Sequence, residues 1–196
     1  MALRLFIILF VCTFSLKAQC DYTNIGYDRD SKALYLKSMP ITLELYETPF
    51  NGRLIQVFLV RNGNSYYLEF EITRDSASQD LQPVCFVKGD RVSFSLSNNT
   101  YISLSQIEDK ICGVKFENST NGFVTVTNYI NVILTQDSFE KLLKNEVLLM
   151  KISSENYNKT FVLKNEMEEL INNQMTITNP TRFFMDNIEC LTNPKL

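Results

Sequence analysis

The chain is 196 residues long, sets nineteen Lys and Arg against twenty-two Asp and Glu, and contains no histidine and no tryptophan. Without imidazole it is closed to Ser-His-Asp and Cys-His nucleophiles, to HExxH zinc hydrolysis and to histidine acid–base work. Carboxylate, lysine or tyrosine chemistry remains, or none at all. A net charge of −3 argues against nucleic acid as a partner.

The first segment, residues 1–18, reads as a secretory signal peptide. Arg4 supplies the positive start, residues 5–16 form an apolar run too short for a comfortable membrane span, and Leu16 and Ala18 stand at −3 and −1 of a cut before Gln19. Lipidation at Cys20 would need an apolar residue at −3 and a small one at −1, and Lys17 and Gln19 supply neither. Loss of Arg4 and Lys17 takes the net charge from −3 to about −5. The roughly 178 residues that follow suit one β-rich domain, 19–196, able to bury about two-thirds of its surface. Export then implies a secreted or periplasmic protein with no transmembrane segment in the mature chain.

Four cysteines survive the cut: Cys20, Cys85, Cys112 and Cys190. An even number in an exported chain favours disulfides, and four allow three connectivities. The flanks of Cys85 and Cys112 read as neighbouring strands, and a Cys20–Cys190 bond would tie the two ends together. On the chain-entropy model these loops are worth about 3.5 and about 5 kcal/mol at the upper end. No CxxC is present, so neither a redox site nor a zinc knuckle is indicated.

Most of the remaining sequence alternates with period two. Candidate strands at 33–37 and 41–46 precede the clearest hairpin, in which 53–60 and 65–73 flank Asn62-Gly63. A two-residue loop there pairs Val57 with Leu68 and Ile55 with Phe70, and puts Gln56, Phe58, Tyr67, Glu69 and Glu71 on the opposite face. A strand at 83–87 turns at Lys88-Gly89-Asp90 into a second hairpin. There Val92, Phe94 and Leu96 alternate with polar residues, Leu96 meets Ile102, and Asn98-Asn99-Thr100 form the tip. Further strands are predicted at 111–117, 123–127 and 129–134, with 118–122 as a connector.

Helix enters late. Thr135 caps a helix with Phe139, Leu142 and Leu143 as its apolar stripe, Asp137 in the first turn and Leu134 as a staple against Phe139. Strands at 147–153 and 160–163 follow. Asn165 is then expected to cap a second helix carrying Met167, Leu170 and Ile171, and Phe184, Ile188 and Leu191 recur at helical spacing after Pro180. Together these predict a mainly β (α+β) fold. It is an antiparallel β-sandwich or strongly curved sheet with two or three short, mostly C-terminal helices.

Candidate sites are few, and no residue is assigned to catalysis, cofactor or metal. Glu69 and Glu71 point the same way about 7 Å apart along one strand, within glycosidase range, although adjacent outward positions are where acids ordinarily sit. Asp28-Arg29-Asp30-Ser31 begins like a calcium loop but continues with Lys32, Ala33 and Met39 where an EF-hand needs a ligand, glycine and glutamate. Glu166, Glu168 and Glu169 crowd the predicted helix start. Tyr67, with Tyr66 on the other side of its strand, offers an aromatic contact. Asn98, Asn118 and Asn158 open glycosylation sequons predicted to lie in turns. Tyr67, Glu69, Glu71, Asn98 and Asn99 are therefore the expected exposed contacts.

Two stretches, the GDRVSFSL…YISL run of 89–104 and the strand–helix–strand run of 129–152 containing LTQDSFEKLLKN, resemble small exported proteins of the Bacteroidetes type. The resemblance covers the central and C-terminal half. It implies an exported β-rich domain and carries over no active-site residue. The leading expectation is a non-enzymatic exported domain that binds a macromolecule or cell-envelope component through a sheet face or hairpin tips. The alternatives are a carrier enclosing an apolar ligand within a curved sheet, and a carboxylate-dependent hydrolase. A carrier needs an enclosed apolar cavity, a binder an exposed patch, and a hydrolase two carboxylates converging in a cleft.

Overall fold

The computed structural model describes residues 21–29, 32–117, 122–171 and 174–192, so the signal-peptide segment lies outside the described residues. The N-terminal half supplies β1 (Tyr22–Tyr27), β2 (Leu34–Ser38), β3 (Ile41–Glu47), β4 (Asn51–Asn62) and β5 (Ser65–Ser76). Next come β6 (Cys85–Val87), β7 (Arg91–Leu96), β8 (Tyr101–Ser105), β9 (Lys110–Cys112), β10 (Val114–Glu117) and β11 (Val124–Leu134). After α1 (Gln136–Lys144) follow β12 (Val147–Ser153), β13 (Asn158–Val162), β14 (Met167–Ile171), β15 (Gln174–Thr178) and α2 (Phe183–Asn187), with a closing 3₁₀ turn at Ile188–Leu191. The fold is mainly β, as the alternation predicts.

A large antiparallel sheet runs β1-β2-β4-β5-β11-β10, with β3 on the far part of the long strand β4, and it curls into a half-barrel. A small sheet, β13-β12-β7-β8, shares one hydrophobic core with it. Ile55, Val57, Phe70, Ile72, Ile130 and Val132 of one sheet meet Val92, Phe94, Ile102, Leu104, Met150 and Ile152 of the other, all buried. Aromatic rings fill the interior. Phe94 sits 6.2 Å from Phe70 and 5.3 Å from Phe184, which in turn lies 4.8 Å from Phe183. Helices α1 and α2 close one end. The Thr135 hydroxyl accepts from the Ser138 N–H as an N-cap should, and Phe139 packs on Tyr66 at 5.6 Å.

At the other end a charged cluster joins the sheets. Arg53 pairs with Glu44 and lies over Phe161, while Arg74 lies over Tyr157. Burial raises the Tyr157 hydroxyl pKa, partly offset by Arg74 and Arg53. A two-stranded ribbon, β6 with β9, sets Cys85 directly opposite Cys112, and the two form the predicted disulfide. The buried Asn128 amide anchors that ribbon: its Oδ1 accepts from the Val84 N–H at 2.6 Å and its Nδ2 donates to the Ile72 carbonyl. Gly113 passes so close that a Cβ there would lie 2.4 Å from Asn128 Oδ1.

Three expectations change. In the first hairpin Asn62 pairs with Ser65 and Val57 with Phe70, so the loop is Gly63-Asn64, one residue later than expected. The left-handed φ of +59° falls on Gly63, which suits a loop with glycine at its first central position. In the second, Phe94 pairs with Ile102 and the tip is Ser97-Asn98-Asn99, one residue earlier, with Asn99 carrying φ +62°. Each shift moves the register by two residues, so every side chain keeps its face. The helix expected after Asn165 is instead β14, paired with β15 as Met167 to Thr178 and Glu169 to Thr176. A single helical turn is costly to nucleate, and the β-branched run Thr176-Ile177-Thr178 offers a ladder in its place.

Candidate functional site

In the small sheet, alternation sends one set of side chains into the core and leaves the other set outward. Register arranges the outward set in three rows. Arg91 lies opposite Ser105 on one side and Ser153 on the other. Ser93 lies opposite Ser103 and Lys151, and Lys151 opposite Thr160. Ser95 lies opposite Tyr101 and, across β12, Leu149, which faces Val162. A bulge between Val147 and Leu149 adds Leu148, so two leucines in succession reach the outer side.

These rows line two open grooves of about 490 Å³ and 560 Å³ that share Ser95, Tyr101 and Leu149. The first carries the hydroxyls with Arg91 and Lys151. The second is apolar, built from Tyr101 (69% exposed), Val162 (75% exposed), Leu148 and Leu149, and ends at Asn99 and Thr100 of the hairpin tip. The Ser93 hydroxyl donates to Ser103 Oγ at 2.9 Å, and Arg91 reaches the same oxygen at 3.4 Å. Among the described residues no Asp or Glu lines either groove, and neither Arg91 nor Lys151 is in an ion pair.

The expected contact residues fall in two places. Asn98 and Asn99 are exposed at the tip bordering the apolar groove, where Asn98 Oδ1 accepts from the Thr100 hydroxyl at 2.6 Å. Tyr67, Glu69 and Glu71 lie on β5, a central strand of the large sheet, and are half-buried. Glu69 pairs with Lys37, whose ammonium stands 4.2 Å over the Phe58 ring. Glu71 faces Tyr129 across the ladder, and burial followed by the Glu71 charge raises the Tyr129 hydroxyl pKa. A recess of only 130 Å³ remains there.

A third groove, about 380 Å³, sets Glu47 and Asp75 beside Phe116 and Phe123. Asp75 is already engaged, accepting from the Thr125 hydroxyl at 2.5 Å. Glu169, placed on strand β14 rather than at a helix start, lies beside Thr42, and burial pushes its carboxyl up against a smaller lowering by that hydroxyl. The Asp28 turn closes through backbone bonds from Lys32 N–H to Asp28 and from Asp28 N–H to Ala33, while Asp30 and Ser31 lie outside the described residues. Among the described residues no cluster of three or more Cys, Asp or Glu could hold a metal. Asn158 is exposed as its sequon requires, but it opens β13 instead of occupying a turn. Asn118 lies outside the described residues.

The apolar half of the β7–β8 alternation marks the core, and the polar half of the same alternation marks this face. Its signal is the serine at every second position, Ser93 and Ser95, then Ser103 and Ser105, with Arg91 beginning the series.

Cys190 is buried and is not a free thiol, and its expected partner Cys20 lies outside the described residues. The Tyr22 hydroxyl donates to the Cys190 carbonyl at 2.8 Å, which holds the two ends of the described chain together. No helix among the described residues is long and apolar enough to cross a membrane. No family model, curated protein or solved structure matches the chain.

Proposed function

We propose that this chain is an exported, non-enzymatic binding domain that takes a macromolecular or cell-envelope partner on the outer face of its small sheet. The observation that carries this reading is the pair Arg91 and Lys151, two cations without carboxylate partners over a groove lined by hydroxyls. A cation left unpaired on a rigid sheet adds little to stability, and it is available to a ligand. The ring-filled interior favours a partner bound outside over an apolar ligand carried within. Export is supported by the leader-like residues 1–18, by the Cys85–Cys112 disulfide and by the Bacteroidetes-type resemblance. The second disulfide of this reading joins Cys190, which is not a free thiol, to Cys20.

The test is co-sedimentation of the purified mature protein with isolated cell envelopes of the organism that exports it. The double charge reversal Arg91→Glu with Lys151→Glu is expected to weaken binding at least tenfold at unchanged melting temperature. Undiminished binding would overturn the assignment of this face.

A further inference from the structure

We infer that the ligand of this face is an acidic polysaccharide of the polyuronate kind, an inference that rests on the assignment of the face above. Three features of the groove select it, the first being the sign and spacing of charge. Arg91 faces Ser153 and Lys151 faces Ser93, so the two cations stand on residues that are diagonal neighbours across β7 and β12, roughly 7–8 Å apart and somewhat closer at their Cβ atoms. Two carboxylates carried along one chain can meet both cations at that spacing.

The second feature is the ratio of hydroxyls to cations. Ser93, Ser95, Ser103, Ser105, Ser153 and Thr160 surround only Arg91 and Lys151. A hydroxyl both donates and accepts, which matches sugar hydroxyls one for one. A polyuronate bears one carboxylate per ring and keeps its other hydroxyls free. A densely sulfated chain would present more charge than two cations meet. The Arg91 fork is suited to a carboxylate, and Lys151 supplies a second, more mobile charge.

The third feature is shape. The groove is open and runs on into the apolar one, so it accommodates an extended chain rather than a compact ligand. Tyr101, exposed beside Ser95, offers a ring for the C–H face of a sugar, and Leu149 and Val162 extend that apolar strip.

Titration calorimetry on the mature protein with oligogalacturonate and with oligomeric alginate tests this, beside their carboxyl-reduced counterparts and dextran sulfate. At least one uronate is expected to bind, with affinity falling as salt rises and dropping tenfold or more on carboxyl reduction. Arg91→Met and Lys151→Met are each expected to weaken it at least fivefold, and Tyr101→Ala at least threefold. Binding of neither uronate, preference for dextran sulfate, or indifference to Arg91→Met and Lys151→Met would overturn the ligand class. The envelope assay keeps the two readings apart. Loss of envelope binding on charge reversal, combined with no uronate binding, sinks the polysaccharide and keeps the face.

Discussion

The outer faces of the two sheets are built on the same pleat and handle charge in opposite ways. On the large sheet Lys37 meets Glu69 above Phe58, and Glu71 meets Tyr129. On the small sheet Arg91 and Lys151 face hydroxyl side chains across the ladder and have no ion-pair partner among the described residues. The first face is settled within the fold. The second carries a net positive charge that no carboxylate among the described residues lining it answers, in a protein whose overall charge is negative. A face neutralised from within contributes to stability, whereas one left unneutralised is free to serve binding.

Removing what holds the large-sheet side together should lower stability and leave the small-sheet face working. The largest effect is expected from Cys85→Ala with Cys112→Ala. The two positions are 27 residues apart, and the chain-entropy model gives a loss of about 3.5 kcal/mol. Denaturant unfolding measures that loss, and uronate affinity per folded molecule should stay within twofold. Gly113→Ala comes next, because its Cβ would fall 2.4 Å from Asn128 Oδ1 and 2.7 Å from the Thr127 carbonyl. A loss of about 1–3 kcal/mol is expected in the same assay.

A smaller and more direct contrast comes from neutralising one lysine on each face. Lys37→Met strands Glu69 and should lower stability by up to about 1 kcal/mol, whereas Lys151→Met should stay within about 0.5 kcal/mol. Equal losses in thermal melts would erase the distinction between the faces. The smallest effect is expected at Glu169. Burial raises its folded pKa above that of the unfolded chain, so the folded state prefers the protonated acid. That preference is fully present below the unfolded carboxylate range and is lost as pH rises through the folded value. Glu169→Gln should therefore raise the melting temperature at pH 7 relative to the parent, with the gain shrinking as pH falls through the folded value and vanishing below the unfolded carboxylate range.

Much of this architecture was legible in the chain because alternation is a local property. Val92, Phe94 and Leu96 face inward, Thr135 caps α1, and Cys85 bonds Cys112, all as the residues themselves imply. Two hairpins nevertheless differ in register from the simplest reading of their turns, since the residue that takes the left-handed conformation decides where a loop falls. Gly63 and Asn99 take it here. The 167–171 segment carries its apolar residues at helical spacing, and its partner β15 makes it a strand instead. The candidate face was half visible, as serines alternating with core residues. Its other half, Lys151 and Thr160, comes from strands some fifty residues further along the chain.

By itself the sequence determined which side of each strand turns to the core, because a period of two survives any register change of two residues. It also determined the excluded chemistries, because histidine is absent. Tertiary structure alone decided which charges meet. Strand order brings Lys37 to Glu69 and sets Arg91 and Lys151 among hydroxyls. Coulombic pairing depends on neighbours in space, and in a sheet those neighbours are set by long-range ladders rather than by adjacent residues.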